Sequence, residues 1–304
     1  LILIFTFFKT NRGIGRILGA TIVLAAISTY VLIKLFKDAK PKVNREYWIF
    51  AVKYSLPIVP HGISQVLLAQ FDRIMIRELV SDSAAGIYSL AGNIKLILNI
   101  ITDSISTAWS TWFYEKMSKK ETKTIQEKAI QLAGLFTVLS IGLLAISPEL
   151  VLILGGEAYA EAKYVAIPMV VDAFILFLYN IIVTAEYYSK KTSYIMIGTM
   201  IAAIINIITN YLFINKYGFI AAAYTTLFSY FCYLILHIII SRKLLGFFVI
   251  KIKWLVLYIG IVCGVAILFL IFINSIFVRW GLCVLLALPM SVKLIKVSGV
   301  LNRK

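Results

Sequence analysis

Three polar residues in one apolar stretch of the chain are spaced so that they share one face of a helix. Lys95, Asn99 and Asp103 follow each other at intervals of four residues, and Thr107 extends the row by one turn. Lys95 and Asp103 would lie about 12 Å apart along the helix axis, too far for a direct ion pair. Each charge therefore needs another partner, water or a ligand. The row indicates either a hydrated polar face that contacts a substrate or a polar contact between helices.

A second polar group lies in the preceding apolar stretch, where prolines at positions 57 and 60 are expected to kink the helix. Four polar side chains follow near one face: His61, Gln65, Asp72 and Arg73. A kinked helix beside polar side chains is typical of transporters, in which freed backbone groups border a cavity. The alternatives are that Asp72 and Arg73 lie at the outer interface and pair with solvent or each other, and that His61 is a hydrogen-bonded packing residue.

Further polar residues are scattered through the later apolar stretches. Asp172 is a candidate site for a cation or a proton, whereas Glu186, close to Lys190, is interpreted as an interfacial partner of a basic loop. Asn206 and Asn210 form an i, i+4 pair, which favours hydrogen bonds between helices.

Catalytic and metal-binding motifs are absent from the sequence. It contains no glycine-rich phosphate loop, no H-E-x-x-H and no G-x-S-x-G, and its 3 cysteines and 2 histidines are too few and too scattered for a metal site. We therefore predict a protein that is not an enzyme, with no catalytic residues, no cofactor and no bound metal.

The composition excludes a water-soluble protein. Of the 304 residues 61% are hydrophobic and only 14% are charged, whereas soluble domains carry about 25% charged residues. The apolar runs are long and nearly continuous, which predicts an all-α, polytopic transmembrane bundle without a soluble domain. Residues 1–8 read as the end of a partial first helix, and nine full spans are expected after it: 17–36, 51–76, 84–113, 129–154, 164–188, 194–214, 218–240, 254–274 and 277–295.

The basic residues fall mostly in alternate connections between these spans. The 30 Lys and Arg against 14 Asp and Glu give a formal net charge of +16. Most of them lie in the loops after spans 17–36, 84–113 and 218–240 and in the C-terminal tail, while the intervening loops carry few, Arg279 among them. Because Lys and Arg accumulate in cytoplasmic loops, we predict that the basic loops and the C-terminus are cytoplasmic. No nucleic acid is needed to explain the charge.

Several short blocks of the sequence resemble a known family. They are YSLPIVPHG (54–62), DRIMI (72–76), GIYSLAGN (86–93), AWSTWFYEK (108–116) and NYLFINKYGFIAAA (210–223). In this order and spacing they resemble the second helical bundle of bacterial polysaccharide and O-antigen repeat-unit flippases of the Wzx type. These belong to the multidrug/oligosaccharidyl-lipid/polysaccharide exporter superfamily.

The resemblance implies an N-terminally truncated member of a fourteen-helix family. Residues 1–36 would end the first bundle, 37–50 would be a cytoplasmic linker, and 51–240 would be a complete second six-helix bundle. Residues 241–253 would form a cytoplasmic loop, 254–296 two additional helices, and 297–304 a cytoplasmic tail.

The resemblance also implies alternating access for an undecaprenyl-diphosphate-linked oligosaccharide in the bacterial cytoplasmic membrane, for O-antigen or capsule synthesis. On depth and spacing, the expected substrate-binding residues are Lys95 first and Arg73 second, with Asn99, His61 and Gln65. The residues expected to balance charge or to couple an ion are Asp72, Asp103 and Asp172. Expected partners are the lipid-linked oligosaccharide and membrane lipids, together with a polysaccharide polymerase and chain-length proteins.

Three other functions compete with this interpretation. A drug or metabolite exporter of the same superfamily would favour acidic groups in its cavity for a smaller, cationic cargo. A membrane glycosyltransferase, polymerase or ligase would elongate or transfer the glycan, and a scaffold of the assembly complex would do neither. The tiny outer loops favour a protein that moves a glycan over one that makes it.

Overall fold

The computed structural model describes residues 12–39 and 44–297, and all regular structure in these ranges is helical. The α-helices are α1 Arg12–Ala39, α2 Arg45–Ser55, α3 Ile58–Leu79, α4 Asp82–Ser118, α5 Thr122–Gly155, α6 Ala162–Tyr188, α7 Thr192–Tyr217, α8 Phe219–Leu245, α9 Ile252–Ile271 and α10 Ile276–Val297. A single 3₁₀ turn, Glu157–Tyr159, joins α5 to α6. Inside a bilayer a helix satisfies every backbone polar group within its own segment, which is why these apolar runs fold as helices.

The chain is a multi-pass membrane protein, as predicted. Seven described helices, α1 and α4 to α9, are long and apolar enough to cross a membrane. Of the other two expected spans, 51–76 falls on the end of α2 and on α3, which carries several charges, and 277–295 falls on α10, whose apolar part is the shorter segment Ile276–Val292. The partial helix expected at 1–8 and part of the expected linker lie outside the described residues.

The predicted span 51–76 is divided at its prolines. Helix α2 ends at Ser55, and α3 begins at Ile58 with Pro57 as its N-cap. Pro60 stands in the first turn of α3, where a backbone N–H has no partner within the helix in any case. The prolines therefore end one helix and start another, which is a sharper break than the kink that the sequence predicts.

The helices fall into two compact units, residues 1–52 and 53–304, which are described separately. The first holds α1 and most of α2, and its span Ile17–Asp38 is exposed along its length. The second contains α3 to α10.

Helix α6 is the centre of the second unit. It packs against α4, α5, α8 and α9, and 89% of its most apolar segment is buried. A helix that is apolar on all sides is expected inside a bundle rather than on its surface. The two acidic residues that α6 nevertheless carries, Asp172 and Glu186, are therefore buried.

The last two helices pack against α5. The Arg279 guanidinium donates to the Ala145 carbonyl at 2.7 Å and to Glu149 Oε2 at 3.1 Å. Arg279, which the charge pattern assigns to a loop, thus lies within α10 and is buried. Its ion pair with Glu149 attaches α10 to α5.

Candidate functional site

A small polar cavity of about 100 Å³ lies among α3, α4, α6 and α8. Its lining includes five of the residues that the sequence predicts as site residues: Asp72, Arg73, Lys95, Asn99 and Asp172. They come from three helices, so the fold brings together positions that are up to 100 residues apart in the chain. The cavity is lined by four charged side chains: the ion pair of Lys95 and Asp172, the carboxylate of Asp72 and the guanidinium of Arg73.

Asp72 is held by neutral hydrogen-bond donors. Its carboxylate accepts from the Tyr88 hydroxyl at 2.6 Å, from the Thr226 hydroxyl at 2.7 Å and from the Asn210 amide at 2.6 Å. The side chain is 3% exposed. Three donors from α4, α7 and α8 satisfy a carboxylate that would otherwise be costly to bury. Asn210 thereby makes the bond between helices that the i, i+4 pair predicts, as does Asn206, whose amide donates to Thr226 at 2.9 Å.

Lys95 is paired across the bundle. Its ammonium group donates to Oδ2 of Asp172 on α6 and lies 5.4 Å from the centre of the Tyr230 ring. The second carboxylate oxygen of Asp172 is buried and has no hydrogen-bond partner in the part of the chain that the structure describes. The partner that Lys95 needs is thus an acidic residue 77 positions away, and the two charges largely neutralise each other.

Arg73 is the cation of the cavity that has no ion-pair partner among the described residues. Its side chain is half-buried, and no hydrogen bond or ion pair is found for it among residues 12–39 and 44–297. The guanidinium lies over Gly92 of α4, so closely that a Cβ at that position would be 2.9 Å from one of its nitrogens. The neighbouring Asn99 likewise has a buried side-chain oxygen for which the described residues provide no hydrogen-bond partner.

His61, Gln65 and Asp103 do not line this cavity. His61 Nδ1 lies 2.6 Å from the Thr199 hydroxyl, and the Gln65 amide reaches the Tyr233 hydroxyl at 3.5 Å, so both belong to a contact between α3, α7 and α8. Asp103 is exposed on α4. The structure thus separates three of the predicted site residues from the other five.

A second buried polar pair escaped the sequence analysis. His237 Nδ1 lies 2.6 Å from Glu186 Oε1, and both side chains are fully buried. The interpretation of Glu186 as an interfacial partner of a basic loop is wrong, because its carboxylate points into the bundle. The other ring nitrogen of His237 faces Gly198, where a Cβ would overlap it. In the sequence, the close approach of His237 to α7 is indicated only by Gly198, a glycine within an apolar helix.

No group of three His, Cys, Asp or Glu side chains in the described ranges is arranged to hold a metal ion. The chemistry of the cavity is that of charge and hydrogen bonding. It offers a free guanidinium and a separable Lys–Asp pair, which suit an anion, and two buried carboxylates, which suit a cation.

Parts of the chain are similar to known proteins. Residues 1–117 match the family model described as "Polysaccharide biosynthesis protein". The chain is also similar to "Lsg locus putative protein 1" of Haemophilus influenzae, with 27% identity over 161 residues, which is 51% of this chain. The match covers 39% of that relative's length, so the chain spans well under two thirds of it. No solved structure matches the chain. Residues 1–117 are therefore similar to the polysaccharide biosynthesis protein family, which agrees with the resemblance in the sequence.

Proposed function

We propose that the chain is part of a flippase that moves lipid-diphosphate-linked oligosaccharide repeat units across the bacterial cytoplasmic membrane. The match of residues 1–117 to a polysaccharide biosynthesis family and the multi-pass architecture support this proposal. The sugars and the diphosphate cannot enter hydrocarbon, whereas the lipid tail can stay there. The protein therefore supplies a polar path by alternating access and makes or breaks no covalent bond.

The observation that carries the proposal is the unpaired guanidinium of Arg73 in the polar cavity. A partly buried cation without a partner costs free energy unless water or an anion completes it. Guanidinium binds phosphate oxygens with two parallel hydrogen bonds, which fits the diphosphate of the substrate. We therefore rank Arg73 ahead of Lys95, reversing the order that the sequence suggests, because Lys95 already has Asp172 as its partner.

Lys95 serves as a second, conditional phosphate ligand. When a diphosphate enters beside Arg73, the Lys95 ammonium can turn from Asp172 to a phosphate oxygen. Asp172 then becomes a buried carboxylate without a counter-charge, which favours uptake of a proton or another cation. This exchange gives Asp172 its role in charge balance, and Asp72, which has only neutral donors, stays in place.

The orientation and partners follow from the same function. The basic loops and the C-terminus face the cytoplasm, where the repeat units are assembled on their lipid. The delivered units would be taken over on the far side by a polysaccharide polymerase and chain-length proteins.

A second candidate, export of a small organic cation, is favoured by Asp72. This buried carboxylate lines the same cavity and has no cationic partner among its hydrogen bonds. A cationic cargo could pair with it directly. In that case Arg73 would repel the cargo, and its removal would improve transport rather than abolish it.

Deletion of the gene tests the proposal in a polysaccharide-producing cell. We expect complete single repeat units to accumulate on the cytoplasmic leaflet, and complementation by the intact protein, but not by its Arg73→Gln variant, to clear them. Accumulation on the outer leaflet would indicate a polymerase instead. Normal export in the deletion strain would contradict the proposal, as would full complementation by Arg73→Gln.

A further inference from the structure

The second half of α4 exposes a polar face that the cavity does not use. Its exposed side chains are Asp103, Ser104, Thr107 and Thr111, which we name the acceptor stripe. Between Asn93, which is also exposed, and the stripe, the exposed side chains of α4 are apolar: Leu96, Ile97 and Ile100. Asn99, which lines the cavity, precedes Asp103 by one helical turn, so the stripe continues from the cavity along α4.

Each hydroxyl group of the stripe already donates its hydrogen bond to a backbone carbonyl of α4. Ser104 donates to the Ile100 carbonyl at 2.9 Å, Thr107 donates to the Asp103 carbonyl at 2.9 Å, and Thr111 donates to the Thr107 carbonyl at 3.5 Å. Each oxygen keeps its acceptor capacity toward the outside. The Asp103 carboxylate is also an acceptor, so the stripe presents acceptors and almost no free donors.

Aromatic rings mark the far end of the stripe. Tyr114 continues the exposed face and lies with its ring centre 5.6 Å from that of Tyr188 on α6. Trp109 and Trp112 stand in the same turns, with ring centres 5.4 Å apart. Trp and Tyr collect at the membrane–water interface, and Asp103 lies about 9 Å along the axis inward from Trp109. The stripe thus runs from the interface inward to the cavity.

We infer that the acceptor stripe of α4 binds the sugar residues of the lipid-linked substrate while Arg73 binds its diphosphate. The inference rests on the proposed function and assigns a subsite to the glycan. Sugars present many hydroxyl donors, and the acceptors of the stripe can take them up where water becomes scarce. The carbon faces of a sugar ring pack on Tyr114 and Tyr188. The oxygen Oδ1 of Asn99 is buried and accepts no hydrogen bond from any residue that the structure describes, and it extends the same row of acceptors to the cavity.

The hydrogen-bond capacity of the stripe selects against other ligands. A phosphate group carries acceptors only, so it gains no hydrogen bond from the stripe and is repelled by Asp103. An apolar tail would leave the acceptors unsatisfied. The substrate is therefore bound with its diphosphate at the cavity and its glycan toward the aromatic end of α4.

The test compares three ligands on the purified 304-residue chain by calorimetry. The ligands are geranyl diphosphate, the same lipid carrying an N-acetylglucosamine trisaccharide, and the free trisaccharide. The test variant is Ser104→Ala/Thr107→Val/Thr111→Val, which keeps the size of each side chain nearly constant. The control is Thr21→Val/Ser291→Ala, which removes two hydroxyls that bond to their own helices in the same way on α1 and α10.

We expect the trisaccharide to tighten binding of the lipid about tenfold, from two or three additional hydrogen bonds. The stripe variant should lose this gain and keep its affinity for geranyl diphosphate, whereas the control should retain both. Equal binding of the two lipids by the wild type, or an undiminished gain in the stripe variant, would overturn the inference and leave the proposed function standing. Binding of the free trisaccharide through the stripe, without binding of geranyl diphosphate, would support the inference and contradict the proposed function. Failure of all three ligands to bind would contradict both.

Discussion

Lys95 on α4 and Asp172 on α6 form an ion pair inside the helical bundle, with the carboxylate 2% exposed. The pair connects two of the most closely packed helices. Because the two charges offset each other, the pair adds no net charge to the wall of the cavity. Arg73, on the same wall, has no such ion-pair partner in the part of the chain that the structure describes. The cavity consequently combines this cation with one ion pair that an incoming anion can divide.

Replacing Lys95 with Met should destabilise the protein strongly. The change leaves the buried Asp172 carboxylate without a partner, which costs about 3–5 kcal/mol. Adding Asp172→Leu should restore much of the loss, because the unpaired charge is then removed as well. Thermal unfolding in detergent measures both effects. The control is Lys119→Ala, which removes one side of an exposed ion pair with Glu115 and should leave the stability unchanged. Wild-type stability in Lys95→Met would show that the pair does not form.

Replacing Gly92 with Ala should weaken anion binding without unfolding the protein. The new Cβ would be 2.9 Å from an Arg73 nitrogen, and the guanidinium can move away because it is the far end of a flexible side chain. We expect several-fold weaker binding of geranyl diphosphate at an unchanged melting temperature. Gly142→Ala is the matched control, since nothing lies within 4 Å of a Cβ at that position. Unaltered affinity in Gly92→Ala would place the anion elsewhere.

Replacing Gly198 with Ala should damage the second buried pair. Its Cβ would overlap the His237 ring, which is held in place by the Tyr179 and Tyr233 rings at 5.0 and 4.6 Å between centres. Overpacking of this kind costs about 1–3 kcal/mol. The melting temperature should therefore fall, while Gly260→Ala, at a helical position with open space, should leave it unchanged. Equal melting temperatures of the two variants would argue against the close approach.

The orientation can be tested with cysteines placed in loops of opposite predicted sides. Lys123→Cys and Glu157→Cys, each in a chain whose three native cysteines are replaced by alanine, provide exposed thiols at the two ends of α5. We expect a membrane-impermeant maleimide to label the Glu157→Cys chain in intact spheroplasts and the Lys123→Cys chain only after permeabilisation. The reverse pattern would invert the predicted topology.

The sequence predicts the helices well because their signal is local. Long apolar runs identify the spans, and the i, i+4 spacing of Asn206 and Asn210 correctly predicts bonds between helices. Proline chemistry also identifies the position of the break before α3, although not that the helix ends there.

The pairings within the site could not be predicted, because they join residues distant in sequence. Spacing along one helix correctly excludes Asp103 as a partner of Lys95, but it cannot point to Asp172 on another helix. Proximity to Lys190 suggested an interfacial role for Glu186, whereas the rotation of α6 turns that carboxylate toward His237. Which charges are already paired, and therefore that Arg73 is the free one, depends on packing alone.

Binding of the diphosphate of a lipid-linked substrate by Arg73 can be measured as the affinity of the chain for geranyl diphosphate. Arg73→Gln should weaken binding about tenfold or more, the loss expected for charge-assisted hydrogen bonds. Arg77→Gln, one turn further along α3 at an exposed site beside Glu78, should bind like the wild type. Equal affinities for wild type and Arg73→Gln, or equal losses in both variants, would contradict this role of Arg73.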